Sequence, residues 1–322
     1  MTARPPVGVA LCTFNGAAFV TQQLRSILDQ SPAPAEIVVG DDGSSDDTVD
    51  LVRAADHGST AVTVLDGAGR LGVTKNFERT VSAVVSPLVA LSDQDDVWHR
   101  DRLRRLTPLF DDGSVLLVHT DARLVDADGE PVGRTLFEEL EVTPAELDLE
   151  RSGRAFDAFL RRNLATGATV VFRRSLLESA LPFPEEWVHD EWLAAVAAAL
   201  GGVAVVAEPT IDYRLHGANQ IGVVTPTLRY KLSRVLEPRG DRNERLARRF
   251  HLFADRLDAL PVTPDIREKA RAKAAFEARR AAFPASRARR LWPVLRLART
   301  GAYGRFASRG RADILRDLVQ PA

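Results

Sequence analysis

The sequence has few sulfur-containing residues and no long apolar segment. Its 322 residues include one cysteine, Cys12, and one methionine. A single cysteine excludes an internal disulfide framework and is typical of a reducing compartment. No segment reaches about 18 uninterrupted apolar residues, and residues 1–6 contain no apolar signal core. We therefore expect neither a secretory signal nor a spanning helix, and we expect a cytoplasmic protein.

A common phosphate-binding motif, the P-loop, is also absent. The sequence contains no GxxxxGK[ST], which excludes a P-loop, and its GxGxxG pattern at residues 67–72 lies in a predicted loop, where alone it is a weak sign of a dinucleotide site. Cys12 lies in an apolar run that begins at Val7, where a thiol is expected to pack as a small apolar side chain. We therefore expect nucleotide binding to depend neither on a P-loop nor on Cys12.

The charged residues are unevenly distributed along the chain. Residues 226–322 contain 24 Lys and Arg against 10 Asp and Glu, whereas residues 1–225 contain 19 against 34. The C-terminal part also lacks any strand pattern and consists of Arg-rich segments with helical spacing. We therefore predict two domains, a catalytic domain over residues 1–224 and a helical extension over residues 225–322.

Short apolar runs alternate with helical segments of about 10–15 residues in the first domain. This alternation predicts an α/β fold with a mostly parallel central sheet flanked by helices. Asn15 is expected to cap the first helix. Residues 121–150 break the rhythm and are predicted to be an irregular insertion. The predicted strands are Val7–Cys12, Glu36–Gly40, Ala61–Leu65, Val84–Leu91, Val115–Val118, Gly167–Arg173, Val203–Val206 and Thr210–Tyr213.

Three carboxylates directly follow one buried strand. Asp93, Asp95 and Asp96 come after the apolar run that ends at Leu91. One of them would suffice to cap the helix that follows, but three so close together repel each other unless a cation lies between them. Carboxylates are the ligands of Mg²⁺ or Mn²⁺, particularly when substrate phosphates complete the coordination shell. The spacing favours a divalent metal site at the end of this strand.

Other polar residues follow strands at the same predicted edge of the sheet, where open α/β sheets bind ligands. Asp41 and Asp42 fit either a structural Asx-turn or contacts to a base or ribose. Asp190 begins a helix and fits either a capping role or a general base. His216 fits either a structural role or a metal ligand.

Five motifs taken together resemble family 2 glycosyltransferases of the GT-A fold. The resemblance covers about residues 5–222, and within this family the sequence is most similar in character to the bacterial rhamnosyltransferase-type members. The motifs are Thr13-Phe14-Asn15, Asp41-Asp42-Gly43-Ser44, Asp93-Gln94-Asp95-Asp96, His189-Asp190 and Arg214-Leu215-His216-Gly217-Ala218-Asn219. Each motif alone is weak, whereas all five in this order are specific.

The resemblance implies an inverting transfer from a nucleotide-diphosphate sugar. It assigns the metal to Asp93 and Asp95, with His216 as an additional ligand. Asp190 corresponds to the base that deprotonates the acceptor, and Glu191, where relatives often have tryptophan, is a second candidate. The residues that the resemblance places at the nucleotide are Thr13, Phe14, Asn15, Asp41, Asp42, Arg70, Lys75 and Asp93.

We therefore expect a metal-dependent glycosyltransferase that acts on a cell-surface glycan or its lipid-linked precursor. Rhamnose from dTDP-rhamnose is implied by the resemblance alone. A sugar-phosphate nucleotidyltransferase would need cations after the first strand, and a non-catalytic binding module would lack the Asp-x-Asp pair or the base. We expect no nucleic-acid partner. Homo-oligomerisation stays open.

The Arg-rich extension has two interpretations. From Arg279 to Arg316, eleven arginines alternate with residues such as Leu291 and Trp292. Such a segment is typical of a helical arm on the inner face of an anionic membrane. It also fits a solvated helical subdomain that packs on the acidic body or on a second subunit.

Overall fold

The computed structural model describes residues 4–67, 69–216 and 239–321. The chain divides into two compact units. The first comprises Met1–Ala155 with Leu164–Val223, and the second comprises Phe156–Asn163 with Val224–Ala322. The predicted boundary between residues 224 and 225 lies outside the described residues. Within the described ranges, no helix has both the length and the apolar character needed to cross a membrane.

The first unit is built on one mixed sheet. The described strands lie in the order β3-β2-β1-β4-β8-β6-β9-β5, and β7 pairs with β6. Their bounds are β1 Val7–Thr13, β2 Glu36–Asp41, β3 Ala61–Val64, β4 Leu88–Ser92, β5 Val97–Trp98, β6 Leu117–Val125, β7 Pro131–Thr135, β8 Val171–Arg173 and β9 Val203–Arg214.

The parallel part of the sheet is formed by β1 to β4. Every residue of β1 and of β4 is buried, as expected for strands covered on both faces. The register pairs Thr13 with Asp41 and Leu11 with Ser92. The carboxyl ends of β1, β2 and β4 therefore meet at one edge, as the alternation of strands and helices predicts.

The helices of the first unit follow the apolar periodicity of the sequence. Helical spacing predicts one helix from about Thr74 to Val84 and another from His189 to about Leu200, and both are confirmed to within one residue at each end. The helical bounds are α1 Val20–Leu28, α2 Thr48–Ala54, α3 Val73–Ala83, α4 Arg102–Leu106, α5 Leu136–Glu139, α6 Pro144–Arg151, α8 Leu177–Ala180 and α9 His189–Ala199, and 3-10 turns span Thr107–Asp111, Gly167–Thr169 and Arg174–Leu176. Helix α7 Ala155–Phe159 belongs, apart from Ala155, to the second unit.

Two parts of the sheet differ from the predictions. Beyond β4, strands β8, β5 and β7 pair antiparallel with their neighbours, whereas β6 and β9 pair parallel, so the sheet is mixed in this half. The two strands predicted at 203–206 and 210–213 are one strand, β9. Irregular pairing with β6 lets β9 pass Pro209 without ending.

The predicted irregular insertion at residues 121–150 is ordered. It consists of the end of β6, the hairpin partner β7, and helices α5 and α6. Thr135 and Thr143 each begin a helix with a capping box, in which a threonine and the glutamate three residues later bond each other's backbone N–H. Some of the acidic residues there cap helices, which explains why the acidic composition of this segment suggested a loop.

The second unit is helical, as predicted from its Arg-rich segments. Its core includes Phe253 and Leu257 together with Phe276 and Tyr303, which are all at most 2% exposed. The rings of Phe276 and Tyr303 pack edge to face with centroids 5.3 Å apart. The other described helices of this unit are α10 Arg242–Asp258, α11 Pro264–Ala281, α12 Arg287–Arg299, α13 Ala302–Phe306 and α14 Ala312–Val319.

Candidate active site

The three carboxylates after β4 have three different environments. Asp95 Oδ2 lies 2.8 Å from His216 Nε2. Asp96 is buried, and its Oδ1 accepts a hydrogen bond from the Arg214 backbone N–H. Burial first, and then the charges of Asp95 and Asp190, raise the pKa of Asp93 to about 8. The edge of the sheet therefore concentrates carboxyl groups in a partly dehydrated place.

Gln94, which lies between these carboxylates, joins two loops of the site. Its side-chain carbonyl accepts from Phe14 N–H at 2.8 Å, and its amide donates to Phe14 O at 3.0 Å. The amide thus pairs with the backbone as a neighbouring strand would. Gly16 permits this approach, because a Cβ at this position would lie 2.0 Å from Gln94 Oε1. The sequence analysis did not identify Gln94 as a functional residue.

The loops after β1 and β2 are held together by side-chain bonds. Thr13 Oγ1 donates to Asp41 Oδ1 at 2.7 Å, and Asp41 also accepts from the Ser44 N–H and hydroxyl. Asp41 thus forms the Asx-type turn that was one of its two interpretations. The prediction that Asn15 caps α1 is wrong. Its Oδ1 accepts from Ser45 N–H at 2.8 Å, and α1 begins after Phe19 without a side-chain cap.

Asp42 and Arg70 bring a third loop to this edge. Asp42 is buried and accepts from the backbone N–H groups of Leu71 and Gly72 at 2.6 and 3.1 Å. These bonds hold the loop before α3 against the end of β2. The Arg70 guanidinium then lies over the Phe14 ring, 4.3 Å from its centroid. Two residues predicted to contact the nucleotide are therefore in contact with each other.

Lys75 is directed to a different set of partners. Its Nζ donates to Glu78 Oε2 and to Phe183 O, both at 2.8 Å. Glu78 Oε2 also accepts from Phe183 N–H at 3.0 Å. Lys75 therefore fixes the loop before α9 to α3, and its predicted role beside the nucleotide remains a prediction.

Asp190 is placed by the N-terminus of α9. Its Oδ2 accepts from Gly167 N–H at 2.8 Å, and its Oδ1 accepts from the Glu191 N–H at 2.6 Å. Gly167 lies so close that an added Cβ would be 3.4 Å from the Asp190 Cβ. The carboxylate is 7% exposed and lies close enough to Asp93 to affect its pKa. The structure therefore brings the predicted base and the Asp-x-Asp pair together, and Glu191 is its half-buried neighbour.

The end of β9 closes the site around Phe19. His216 stacks on the Phe19 ring at a centroid distance of 4.7 Å, and the Arg214 guanidinium lies 5.2 Å from the same ring. Arg214 also donates to Asp95 O at 2.9 Å and to Gln22 Oε1 at 2.7 Å. The sequence analysis did not assign roles to Arg214 and Phe19. The only signal was the Arg214 motif, whose residues Gly217 to Asn219 lie outside the described residues.

The donor atoms at this edge fit a divalent cation. Asp93 and Asp95 offer carboxylate oxygens, His216 offers an imidazole nitrogen, and this donor set suits Mg²⁺ or Mn²⁺. Burial, and then the neighbouring carboxylates, raise the pKa of Asp93, and a bound cation would favour its ionised form. In the described part of the chain, no group of three or more His, Cys, Asp or Glu side chains has a ready metal-binding arrangement. Asp95 and His216 are the predicted ligands that are already in contact.

Cys12 has the structural role that its position predicts. It is buried in β1, and burial raises the pKa of its thiol. The thiol lies 3.5 Å from Thr80 Oγ1. A buried thiol with a raised pKa is a poor nucleophile, so Cys12 packs as a small core side chain.

Comparisons with known proteins identify the class of this fold and site. The glycosyl transferase family 2 model matches residues 8–180, and the chain belongs to this family. The structure is similar to Staphylococcus aureus TarS 1-349 in complex with UDP-GlcNAc, with a TM-score of 0.58, 15% identity, and 98% and 89% of the two chains covered. It is also similar to the Pyrobaculum calidifontis mannosyltransferase PcManGT in complex with GDP-Man and Mn²⁺, with a TM-score of 0.56, 21% identity, and coverage of 99% and 87%. The GT-A fold is therefore confirmed.

Two curated relatives are similar over part of their length. An uncharacterised glycosyltransferase of Nostoc sp. is 27% identical over 66% of each chain. The dTDP-rhamnosyl transferase RfbG of Shigella flexneri is 24% identical over 66% of this chain and 73% of its own. Across the relatives compared, the matches span from 39% to 73% of those proteins' own lengths.

Proposed function

We propose that this family 2 glycosyltransferase catalyses an inverting, metal-dependent transfer from a nucleotide-diphosphate sugar to a hydroxyl group. The acceptor that we propose is a cell-surface glycan or its lipid-linked precursor at the inner face of the membrane. The observation that carries the proposal is the meeting of Asp93, Asp95 and His216 with Asp190 at one edge of the sheet. A single displacement needs these two groups, one for the departing diphosphate and one for the acceptor.

In this proposal the nucleotide lies along the ends of β1 and β2. Phe14 and Arg70 form a stacked pair there, and Arg70 supplies a cation for a phosphate or a polar group of the base. Thr13, Asn15, Asp41 and Asp42 fix the loop backbones on which that surface depends. Asp41 and Asp42 already accept several hydrogen bonds, so we assign them mainly to holding these loops in the free protein.

Asp93, Asp95 and His216 would hold Mg²⁺ or Mn²⁺. When bound, the cation would neutralise charge on the diphosphate of the leaving group. The solved neighbour PcManGT was obtained with GDP-Man and Mn²⁺, which supports this assignment. Arg214 and Phe19 hold His216 and the Asp95 backbone in position from behind.

Asp190 is the proposed general base. The acceptor oxygen forms a bond to the anomeric carbon while the bond from that carbon to the diphosphate oxygen breaks, and the electron pair leaves with the nucleoside diphosphate. The hydroxyl proton passes to Asp190, whose orientation is fixed by the Gly167 and Glu191 N–H groups. Because attack occurs on the face opposite the leaving group, the configuration inverts. Glu191 is the alternative base.

The donor that we propose is dTDP-rhamnose. Its support is the similarity to the Shigella flexneri dTDP-rhamnosyl transferase at 24% identity. We propose the choice of base and sugar for testing alongside the other common donors.

A thermal-shift panel tests the donor site. The full chain is heated with UDP, dTDP or GDP, each with and without Mn²⁺. We expect one nucleotide to raise the melting temperature only with Mn²⁺, because a ligand that binds the folded state stabilises it by about 2.7 kcal/mol at 100 times its Kd. Asp95→Asn should abolish that shift, and Asp50→Asn, at an exposed position of α2, should keep it. No shift with any nucleotide would favour a module that does not bind donors.

Asp190→Asn separates transfer from donor binding. We expect the nucleotide shift to survive while transfer to the acceptor falls by about 100-fold or more, because the proton has no acceptor in the transition state. Radiolabelled donor and product separation measure the transfer. Transfer near the wild-type rate would remove Asp190 as the base, and loss of transfer in Glu191→Gln alone would assign the role to Glu191.

A further inference from the structure

Helix α14 buries its charged face. Asp313, Arg316 and Asp317 are 1%, 8% and 2% exposed, although such side chains usually face water. The burial of Asp317 is compensated by specific partners. Arg280 of α11 donates to both oxygens of Asp317 at 2.7 and 2.9 Å, and the Tyr303 hydroxyl donates to the same carboxylate at 2.7 Å. The interior of the second unit is therefore partly ionic.

The opposite face of α14 is apolar and directed outward. Leu315 is 59% exposed, and Ile314, Leu318 and Val319 are only half-buried. In an ordinary surface helix these side chains would face the core and the charged residues would face water. The helix thus has the reverse polarity of a helix on a water-facing surface.

Helix α12 exposes apolar side chains in the same unit. Trp292 is 69% exposed and Leu291 is 43% exposed. Trp292 lies three residues after Arg289 and four before Arg296, so both exposed arginines flank it on the helix surface. A tryptophan with arginines on either side is typical of helices that lie at a membrane interface.

The segment from the end of α11 to the start of α14 carries charge of one sign only. Between Glu277 and Asp313 the sequence has ten arginines and no aspartate or glutamate. Helices α12 and α14 pack together, and Arg290 donates to Gln320 O at 2.5 Å. The exposed apolar side chains of α12 and α14 therefore belong to one packed structure. The exposed arginines of α12 have no acidic residue near them in sequence.

From these observations we propose that the second unit binds an anionic lipid membrane through a basic apolar face. We define this face as Leu291, Trp292 and Leu315 with the exposed arginines Arg287, Arg289, Arg296 and Arg299. The apolar side chains enter the interface between headgroups and acyl chains, and the arginines bind lipid phosphates. We choose anionic lipid as the partner because its charge complements the exposed arginines. The inference does not depend on the proposed glycosyl transfer.

Vesicle binding of the full chain tests this inference. Phosphatidylcholine vesicles with and without phosphatidylglycerol are added, and sedimentation and tryptophan fluorescence are measured. Because Trp98, Trp187 and Trp192 are at most 3% exposed, a lipid-induced blue shift reports on Trp292. We expect binding and a blue shift only with the anionic vesicles. No binding to either kind of vesicle would overturn the inference.

Matched variants locate the lipid-binding face. Arg289→Glu/Arg296→Glu should lower the partition coefficient by about 25-fold or more, since each arginine near an anionic surface contributes about fivefold. Arg245→Glu/Arg248→Glu, at exposed positions of α10 in the same unit, makes the same change in net charge and should reduce binding far less. Equal losses in both pairs would overturn the assignment to this face.

The exposed apolar residues provide a second comparison. Trp292→Ser should lower partitioning by about tenfold and abolish the blue shift, and Leu252→Ser on α10 should leave both near wild type. Sedimentation equilibrium tests the alternative that this face binds a second copy of the chain. A dimer that Trp292→Ser converts to monomer, with vesicle binding unchanged, would overturn the lipid assignment.

Discussion

His189 shows how burial controls a single ionisable side chain. It is 4% exposed, its ring stacks on Phe77 with centroids 3.8 Å apart, and burial lowers its pKa to about 3. Neither ring nitrogen has a hydrogen-bond partner. The neutral ring acts as an apolar side chain beside Gly167, at the start of the helix that carries Asp190.

The lowered pKa of His189 predicts a pH-dependent loss of stability. Between the unfolded pKa of about 6.5 and the folded pKa of about 3, the unfolded state binds one proton more. The free energy of unfolding therefore decreases as the pH is lowered through this range. From pH 7.5 to 5.5 this histidine should remove about 1.4 kcal/mol, and His189→Phe should lose about that much less than wild type over the same range. Urea titrations at the two pH values measure the difference.

The control for this comparison is His251→Gln. His251 is an exposed histidine on α10, so its replacement removes one imidazole from the protein without changing a buried position. An identical change in wild type and in His189→Phe would contradict the assignment of this pH dependence to His189.

The loops at the sheet edge act as connected elements. Gln94 ties the turn after β4 to Phe14, Asn15 ties the loop after β1 to Ser45, and Asp42 ties β2 to the loop before α3. Each tie joins residues about 30 or more apart in sequence. The nucleotide surface therefore depends on contacts between elements more than on any one loop.

Gln94→Ala should loosen this edge. The substitution removes both hydrogen bonds to the Phe14 backbone and is expected to lower the free energy of unfolding by about 1–3 kcal/mol. Nucleotide affinity should fall by about tenfold or more, measured by calorimetry. Gly16→Ala should act in the same direction, because its Cβ would displace Gln94. Wild-type nucleotide affinity in both variants would show that the tie is irrelevant to binding.

At the scale of the whole molecule, the second unit depends on buried charge pairs. Lys273 donates to Glu277 at 2.7 Å, and Arg280 bonds both Glu277 and Asp317. Burial acts to lower the pKa of Arg280, but the hydrogen bonds to Asp317 and the negative charges of Glu277, Asp317 and Asp313 together outweigh burial, so its pKa is raised. Such pairs are costly to break, because a lone buried charge remains.

Arg280→Met should therefore destabilise the second unit strongly. We expect a loss of about 3–5 kcal/mol, since Asp317 would remain buried without its bidentate partner. Arg280→Met/Asp317→Leu should recover much of that loss, because it removes both charges. Chemical denaturation followed by circular dichroism measures both variants. A double variant as unstable as the single one would show that packing of the Arg280 stem, and not charge pairing, decides the stability.

Much of the first unit could be predicted because its signals are local. The strands β1, β2 and β4 and the helices α3 and α9 follow from apolar runs and helical spacing, and parallel strands bring Thr13, Asp41 and Asp93 to one edge. The antiparallel pairing of β5, β7 and β8 was not predicted, because alternation of strands and helices indicates parallel pairing only. The ordered hairpin within residues 121–150 was not predicted either, since its acidic composition resembles a loop.

The sequence by itself determined the order of the elements, the acidic edge and the family, because each depends on residues close together or on motifs in a fixed order. Only the tertiary structure decided which partners complete the site, such as Gln94 with Phe14 and Arg214 with Asp95, because these contacts join residues about 80 and 120 positions apart. It also decided which face of α14 is buried. An amphipathic sequence fixes two faces, and the partners of Asp317 determine which of them points inward.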